Sequence, residues 1–199
     1  RKSAISLLPS YFVDNETDTL KCECESRTYE SCSEKTTECS SQNDRCSAAI
    51  SVMFEDGTKV YEVNFKGCAM HEVCVDYSFS YGAYRFVEKI TCCNGDLCNT
   101  EVPDYKLTPN GKKCFTCEKE NCMKTLNCEG NENYCFTATS VENQTLKGCA
   151  SKLICSYQLN PFPGANFSCC QGDYCNSASS ASPALLLLLV PLLISTLFS

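Results

Sequence analysis

Twenty cysteines in 199 residues fall into two sets of ten with nearly the same rhythm, and no other feature limits the accessible folds as much. The first set is Cys22, Cys24, Cys32, Cys39, Cys46, Cys68, Cys74, Cys92, Cys93 and Cys98. The second is Cys114, Cys117, Cys122, Cys128, Cys135, Cys149, Cys155, Cys169, Cys170 and Cys175. Successive gaps run 2, 8, 7, 7, 22, 6, 18, 1, 5 in the first set and 3, 5, 6, 7, 14, 6, 14, 1, 5 in the second. The differences change loop lengths and leave the order intact. A repeated order of cysteines implies a repeated covalent framework.

Each set spans fewer than 80 residues, too few to hold a fold by an apolar core alone. Five crosslinks per unit, each contributing about 2–4 kcal/mol by restricting the unfolded chain, remove that difficulty. They persist only in an oxidising compartment, which places the chain outside the cytosol. Zinc is the other use for dense cysteine, but there is a single histidine, His71, and no paired CxxC…CxxC at a finger-like spacing. No metal and no cofactor are expected.

The formal charge is −7, without a basic run, which argues against nucleic acid and against acidic lipid surfaces. The charge is uneven. Residues 22–99 carry 7 Lys/Arg against 13 Asp/Glu (net −6), and residues 114–176 carry 4 against 6 (net −2). Asn15, Asn143 and Asn166 each open an Asn-x-Ser/Thr sequon and are candidate glycosylation sites on exposed loops.

The pattern along the chain is all-β. Tyr61, Val63 and Phe65 alternate with Glu62, Asn64 and Lys66; Val75, Tyr77, Phe79 and Tyr81 alternate with Asp76, Ser78 and Ser80. Glu55-Asp56-Gly57, between Ile50–Phe54 and Lys59–Phe65, predicts a hairpin turn in which Gly57 supplies positive φ. A second hairpin turns near Gly82 and returns along Tyr84–Ile90. The second unit repeats this with shorter arms: Cys135–Ser140 to Thr145–Cys149, then Ser156–Leu159 and Phe167–Cys169. Residues 1–20 lack cysteine and are expected to be a leader remnant or N-terminal extension. Residues 100–113, with Pro103, Pro109 and Gly111, read as a linker.

The chain closes on an uncharged apolar stretch, Ala184–Phe198, with Pro191 in its middle. Its 15 residues fall short of the roughly 20 that a membrane-spanning helix needs. The small residues at 177–182 followed by this tail fit a GPI-attachment signal over 177–199, with Ser177 and Ser179 as attachment candidates. A short transmembrane anchor is the competing reading.

Both units end alike, in Cys92-Cys93-Asn94-Gly95-Asp96-Leu97-Cys98-Asn99 and Cys169-Cys170-Gln171-Gly172-Asp173-Tyr174-Cys175-Asn176, and both carry Lys-Gly-Cys-Ala, at 66–69 and 147–150. With the leading Cys-x₁₋₂-Cys, these features resemble the Ly-6/urokinase-receptor (LU) domain family over 21–99 and 114–176. The resemblance implies two tandem three-finger (snake-toxin-like) domains, small, disulfide-rich and all-β. It also implies a pairing that spacing alone leaves open. In the first domain that pairing is Cys22–Cys46, Cys24–Cys32, Cys39–Cys68, Cys74–Cys92 and Cys93–Cys98. In the second it is Cys114–Cys135, Cys117–Cys122, Cys128–Cys149, Cys155–Cys169 and Cys170–Cys175. It gives Asn99 and Asn176 a structural role, hydrogen-bonded into the palm. Cys22-Glu23-Cys24 departs from the family pattern, having one intervening residue where two are usual.

No catalytic set assembles. His71 is the sole imidazole, and the expected pairing leaves no free thiol beside it. The expectation is a GPI-anchored cell-surface glycoprotein, not an enzyme, that binds an extracellular protein partner as a receptor, adhesion or regulatory molecule. The alternative is a soluble inhibitor of an extracellular phospholipase or protease. The aromatics Tyr77, Phe79, Tyr81, Tyr84 and Phe86 are expected to line the sheet against a neighbouring finger. Tyr81 and Tyr84, nearest the tip, are the candidate binding residues.

Overall fold

The structure, a computed structural model, describes residues 19–26, 32, 34–118, 121–156 and 160–177. Asn15, Ser179 and the apolar tail lie outside the described residues. All twenty cysteines are oxidised in the ten pairs named above, five within each unit. The sulfurs pack as well as bond. Cys22, Cys39 and Cys46 form one buried cluster, and Cys114, Cys128, Cys135 and Cys149 form the other. Each hub is therefore a small core made of disulfides, from which the fingers leave as β-loops.

In the first domain β1 (Lys21–Glu23) pairs with β3 (Thr36–Glu38), and the short β2 (Glu25–Ser26) lies on the outer edge of the main sheet. The second finger is β4 (Asp44–Glu55) and β5 (Thr58–Met70). Its turn has φ of 49° at Asp56 and 74° at Gly57, so both residues are left-handed and the turn follows the twist of its strands. The third finger is β6 (Tyr77–Tyr81) and β7 (Tyr84–Cys93), turning at Gly82 with φ 53°. Asp56 N–H donates to Ala83 O at 3.0 Å and ties the two finger tips together. Val75, expected in the strand, precedes β6 and is exposed.

In the second domain β8 (Pro109–Glu118) pairs with β9 (Asn121–Glu129), and β10 (Tyr134–Thr139) lies between β11 (Thr145–Ala150) and β12 (Asn166–Cys170). The segment 100–113, expected as a linker, is free of strand only to Thr108; Pro109–Lys113 enters β8 across an irregularity that Gly111, at φ 88°, accommodates. Ser156, expected to begin a strand, instead follows a helical turn, α1 (Lys152–Cys155), and 157–159 lie outside the described residues. The helical turn points Ile154, 1% exposed, into the core.

The two domains share one sheet. Its order is β12-β10-β11-β6-β7-β4-β5-β2, and the seam is an antiparallel pairing of β11 with β6: Gly148 opposite Tyr81, Cys149 opposite Ser80, Ala150 opposite Phe79. Among the described residues the largest apolar cluster sits at this seam. Phe136, Ala138, Ala150, Ile154 and Phe167 of the second domain are buried, and Tyr77, Phe79 and Tyr81 of the first pack against them. The third finger of domain one completes the core of domain two.

Candidate functional site

Residues opposite one another in a sheet project to the same side. Following the register from strand to strand gives a continuous row, Tyr61–Met53–Phe86–Phe79–Ala150, that crosses from β5 to β11. A second row is Phe65–Ala49–Ile90. This aromatic face is closed in domain two, where Phe162 lies over it with ring centroids 5.5 Å from Tyr81, 5.8 Å from Phe79 and 5.5 Å from Phe136. In domain one no described residue closes the same face. It forms a shallow depression of about 760 Å³ lined by Tyr61, Val63, Phe65, Met70, Val73 and Ile90. Tyr61 is 44% exposed and Met70 59%, an arrangement that isolated surface residues do not give. The charged residues lining the depression, Asp44 and Glu88, are both acidic. Glu88 accepts hydrogen bonds from Ser51 Oγ at 2.8 Å and Tyr77 Oη at 3.0 Å. Burial, and then the Glu88 charge, push the Tyr77 phenol well above its usual value.

The two candidate tip residues part ways. Tyr81 is half-buried in the seam against Phe162, and desolvation raises its phenol pKa. Tyr84 stacks on Tyr81 at 5.4 Å, stays 40% exposed and donates to Glu55 Oε1 at 2.7 Å. That hydrogen bond is the main reason its phenol is raised. Beside Tyr84 a cleft of about 470 Å³ opens between Phe54, Tyr105, Leu107 and Leu126.

Beneath the seam lies a polar cluster that the sequence pattern does not announce. Glu132, fully buried, accepts through Oε2 from Ser80 Oγ at 3.0 Å and from Glu129 N–H at 3.2 Å, while its Oε1 has no partner among the described residues. Burial pushes its carboxyl up to about 7. Arg85 of domain one pairs with Glu129 of domain two at 2.6 Å. Ser78 Oγ donates to Asn131 Oδ1 at 3.1 Å, and Asn131 Nδ2 donates to Asp76 O at 2.7 Å. Glu132 sits in Gly130-Asn131-Glu132-Asn133, whose composition reads as a solvated turn; only the other domain makes it an interior.

Asn99 and Asn176 are buried within their palms, each making three hydrogen bonds to backbone. Asn143 is exposed at the β10–β11 turn with φ 60°, and Asn166 is exposed at the start of β12. Ser177 is exposed, its N–H donating to Tyr174 O. His71 is exposed in a 3-10 turn, His71–Val73. Two groups of three sulfurs, Cys22/Cys39/Cys68 and Cys114/Cys128/Cys149, lie within 4.8 Å, but every one is in a disulfide, and a metal needs a thiolate. Among the described residues no helix is long and apolar enough to cross a membrane.

Sequence comparison is consistent with this architecture. The u-PAR/Ly-6 domain family matches residues 18–101, and the family described as snake toxin and toxin-like protein matches 113–176. The urokinase plasminogen activator surface receptor of Mus musculus is 28% identical over 169 residues, covering 75% of this chain and 51% of the receptor. Xenoxin-3 of Xenopus laevis is 33% identical over 66 residues, 33% of this chain and 98% of that relative. A gamma-type phospholipase A2 inhibitor of Elaphe climacophora is 31% identical over 107 residues, 45% of this chain and 54% of the inhibitor. The chain spans 51% to 63% of the length of the urokinase receptors it matches.

Proposed function

This chain belongs to the u-PAR/Ly-6 family, and from that premise we propose that it is a cell-surface protein binding an extracellular protein partner on the open sheet face of its first domain. The observation behind this reading is the contrast between the two halves of one sheet. Domain two covers its aromatic face with Phe162, whereas among the described residues of domain one nothing covers Tyr61, Met53 and Met70. A large apolar patch in water is costly unless something covers it. Recognition is by contact, and the rigid disulfide hubs hold the face in position. Tyr84 flanks it at the tip; Tyr81 projects from the same side but is covered by Phe162 in the seam. The units are a first domain over 21–99 and a second over 114–176, with residues 177–199 as the GPI-attachment signal and Ser177 or Ser179 as the attachment point.

Two measurements test this. Phosphatidylinositol-specific phospholipase C should release the protein from cells that display it, and retention with residues 185–198 intact would refute the anchor. The released ectodomain then serves as bait. Tyr61→Ala should weaken capture of the partner about ten-fold or more, as expected for an aromatic anchor. Glu62→Ala, opposite the buried Val52 and so on the other side of the same strand, should leave it unchanged. Equal effects of the two would place binding elsewhere.

Asn143 and Asn166 are proposed to carry glycans. Asn166 precedes the inward-pointing Phe167, so it projects from the other side of the sheet and leaves the aromatic face clear. Peptide N-glycosidase should remove both, and Thr145→Ala and Ser168→Ala should each remove one beforehand; a protein whose mass neither change alters would refute the assignment. The second reading, a soluble phospholipase inhibitor, is favoured by the similarity to the Elaphe inhibitor. It predicts a medium-borne product untouched by the lipase and inhibition of a secreted phospholipase A2.

A further inference from the structure

We infer that Glu132 is a proton-sensitive latch on the joint between the two domains, holding the third finger of domain one against domain two when protonated and loosening it when ionised. Three observations carry this. The side chain is fully buried at the seam, it bonds across the domain boundary to Ser80, and half of its carboxyl, Oε1, has no partner among the described residues. A buried carboxylate with an unpartnered oxygen is costly, whereas a protonated carboxyl is neutral and costs far less to bury.

The surroundings do not reverse that preference. From β7 comes Arg85, the cation facing Glu132, but its guanidinium is already paired with Glu129, and its Nε makes no hydrogen bond to Glu132. From β9 comes Glu129 itself, a like charge whose backbone N–H donates to Glu132. From β6 come only hydroxyls, of Ser78 and Ser80. From β8 comes the Asn110 amide, which donates to the Glu132 carbonyl at 3.2 Å rather than to its carboxyl.

The direction of the pH effect follows. Burial raises the carboxyl from its ordinary value of 4.5 to about 7, so between those values the closed joint holds a proton that an opened, solvated Glu132 releases. Closure is at full strength below the lower value. It weakens by about ten-fold per pH unit as pH rises toward the upper one, and is flat above it. The face proposed for partner binding ends at this joint, where Phe162 covers Phe79 and Tyr81, so the support of its β6 edge becomes pH-dependent. The joint itself can be read without any partner, which keeps failure of the latch separate from failure of the binding proposal.

The experiment is amide hydrogen exchange on the disulfide-intact chain between pH 5 and 8, corrected for intrinsic exchange rates. Protection of the β6 and β11 amides at 79–81 and 148–150 should fall about ten-fold per pH unit from 5 to 7 and then level off, while the β4–β5 hairpin stays constant. Glu132→Gln, neutral at every pH and of the same shape, should hold that protection at its acidic level throughout. A flat profile in the unmodified protein, or the same profile in Glu132→Gln, overturns the latch. If Glu132→Gln is not secreted, the unmodified protein decides: loss confined to 79–81 and 148–150 supports the latch, and loss spread over the β4–β5 hairpin refutes it.

Discussion

Asn176→Ala is expected to destabilise the second domain by about 3–6 kcal/mol, enough to prevent secretion at 37 °C, because one side chain satisfies three backbone groups inside the palm. Its Oδ1 accepts from Phe115 N–H at 2.9 Å, and its Nδ2 donates to Phe115 O at 2.9 Å and to Phe136 O at 3.0 Å. The residue is 3% exposed, so water cannot replace those bonds. The side chain fastens the first finger to the second at the point where the chain leaves the last disulfide. Small domains have only about 5–15 kcal/mol to lose. Asn176→Asp is the sharper variant. It keeps the acceptor but turns a second oxygen toward two carbonyls, so it should be at least as damaging as alanine despite being nearly isosteric. Asn99 repeats the geometry in domain one, accepting from Glu23 N–H at 2.9 Å and donating to Glu23 O at 3.0 Å and Ser47 O at 2.8 Å. Secreted yield and thermal unfolding with disulfides intact measure both sites. An Asn176→Asp protein that melts with the unmodified one would show that the disulfides alone hold the palm.

Local pattern in the sequence is a good guide to the fingers and a poor one to what lies between the domains. The alternation at Tyr77, Phe79 and Tyr81 marks a strand with one buried side, because a period of two is a property of the strand itself. What it cannot state is what covers that side, and here the cover comes partly from Phe162, over 80 residues further on. The turn at Gly57 was legible for the same local reason; the twelve-residue length of β4 was not, since its first half is held in register by cross-strand bonding near the Cys46 hub and not by alternation. The helical turn at Lys152–Cys155 escaped because Ser151 directs it: Ser151 N–H donates to Ser78 O and its Oγ accepts from Ser78 N–H, both across the seam. Glu132 escaped for a related reason. A glutamate flanked by Gly and Asn has the composition of a surface turn, and only tertiary contact makes it interior.

Gly148→Ala is expected to open the joint. A methyl group there would lie 1.9 Å from Ser80 O and 2.9 Å from both Ser80 C and Phe136 Cε1, and the nearest obstacle is backbone that no rotamer change can move. The β6–β11 pairing needs the strands to approach at this residue, since Gly148 faces Tyr81 across the seam. The sequence holds its own control. Lys-Gly-Cys-Ala occurs twice, yet a methyl at Gly67 would meet only the Phe65 ring, at 3.1 Å, and a ring edge can shift by a few tenths of an ångström. The repeated motif thus performs two tasks: in domain one its glycine lies beneath an aromatic side chain, and in domain two it admits a strand from the neighbouring domain. Gly67→Ala should cost about 1 kcal/mol, within the usual range for mild overpacking, and Gly148→Ala more than about 3 kcal/mol of inter-domain stability. Hydrogen exchange at 79–81 and 148–150 should rise sharply in Gly148→Ala alone, with both disulfide hubs intact by peptide mapping. Equal responses from the two variants would show that the glycine is kept for its backbone freedom, not for the close approach of β6.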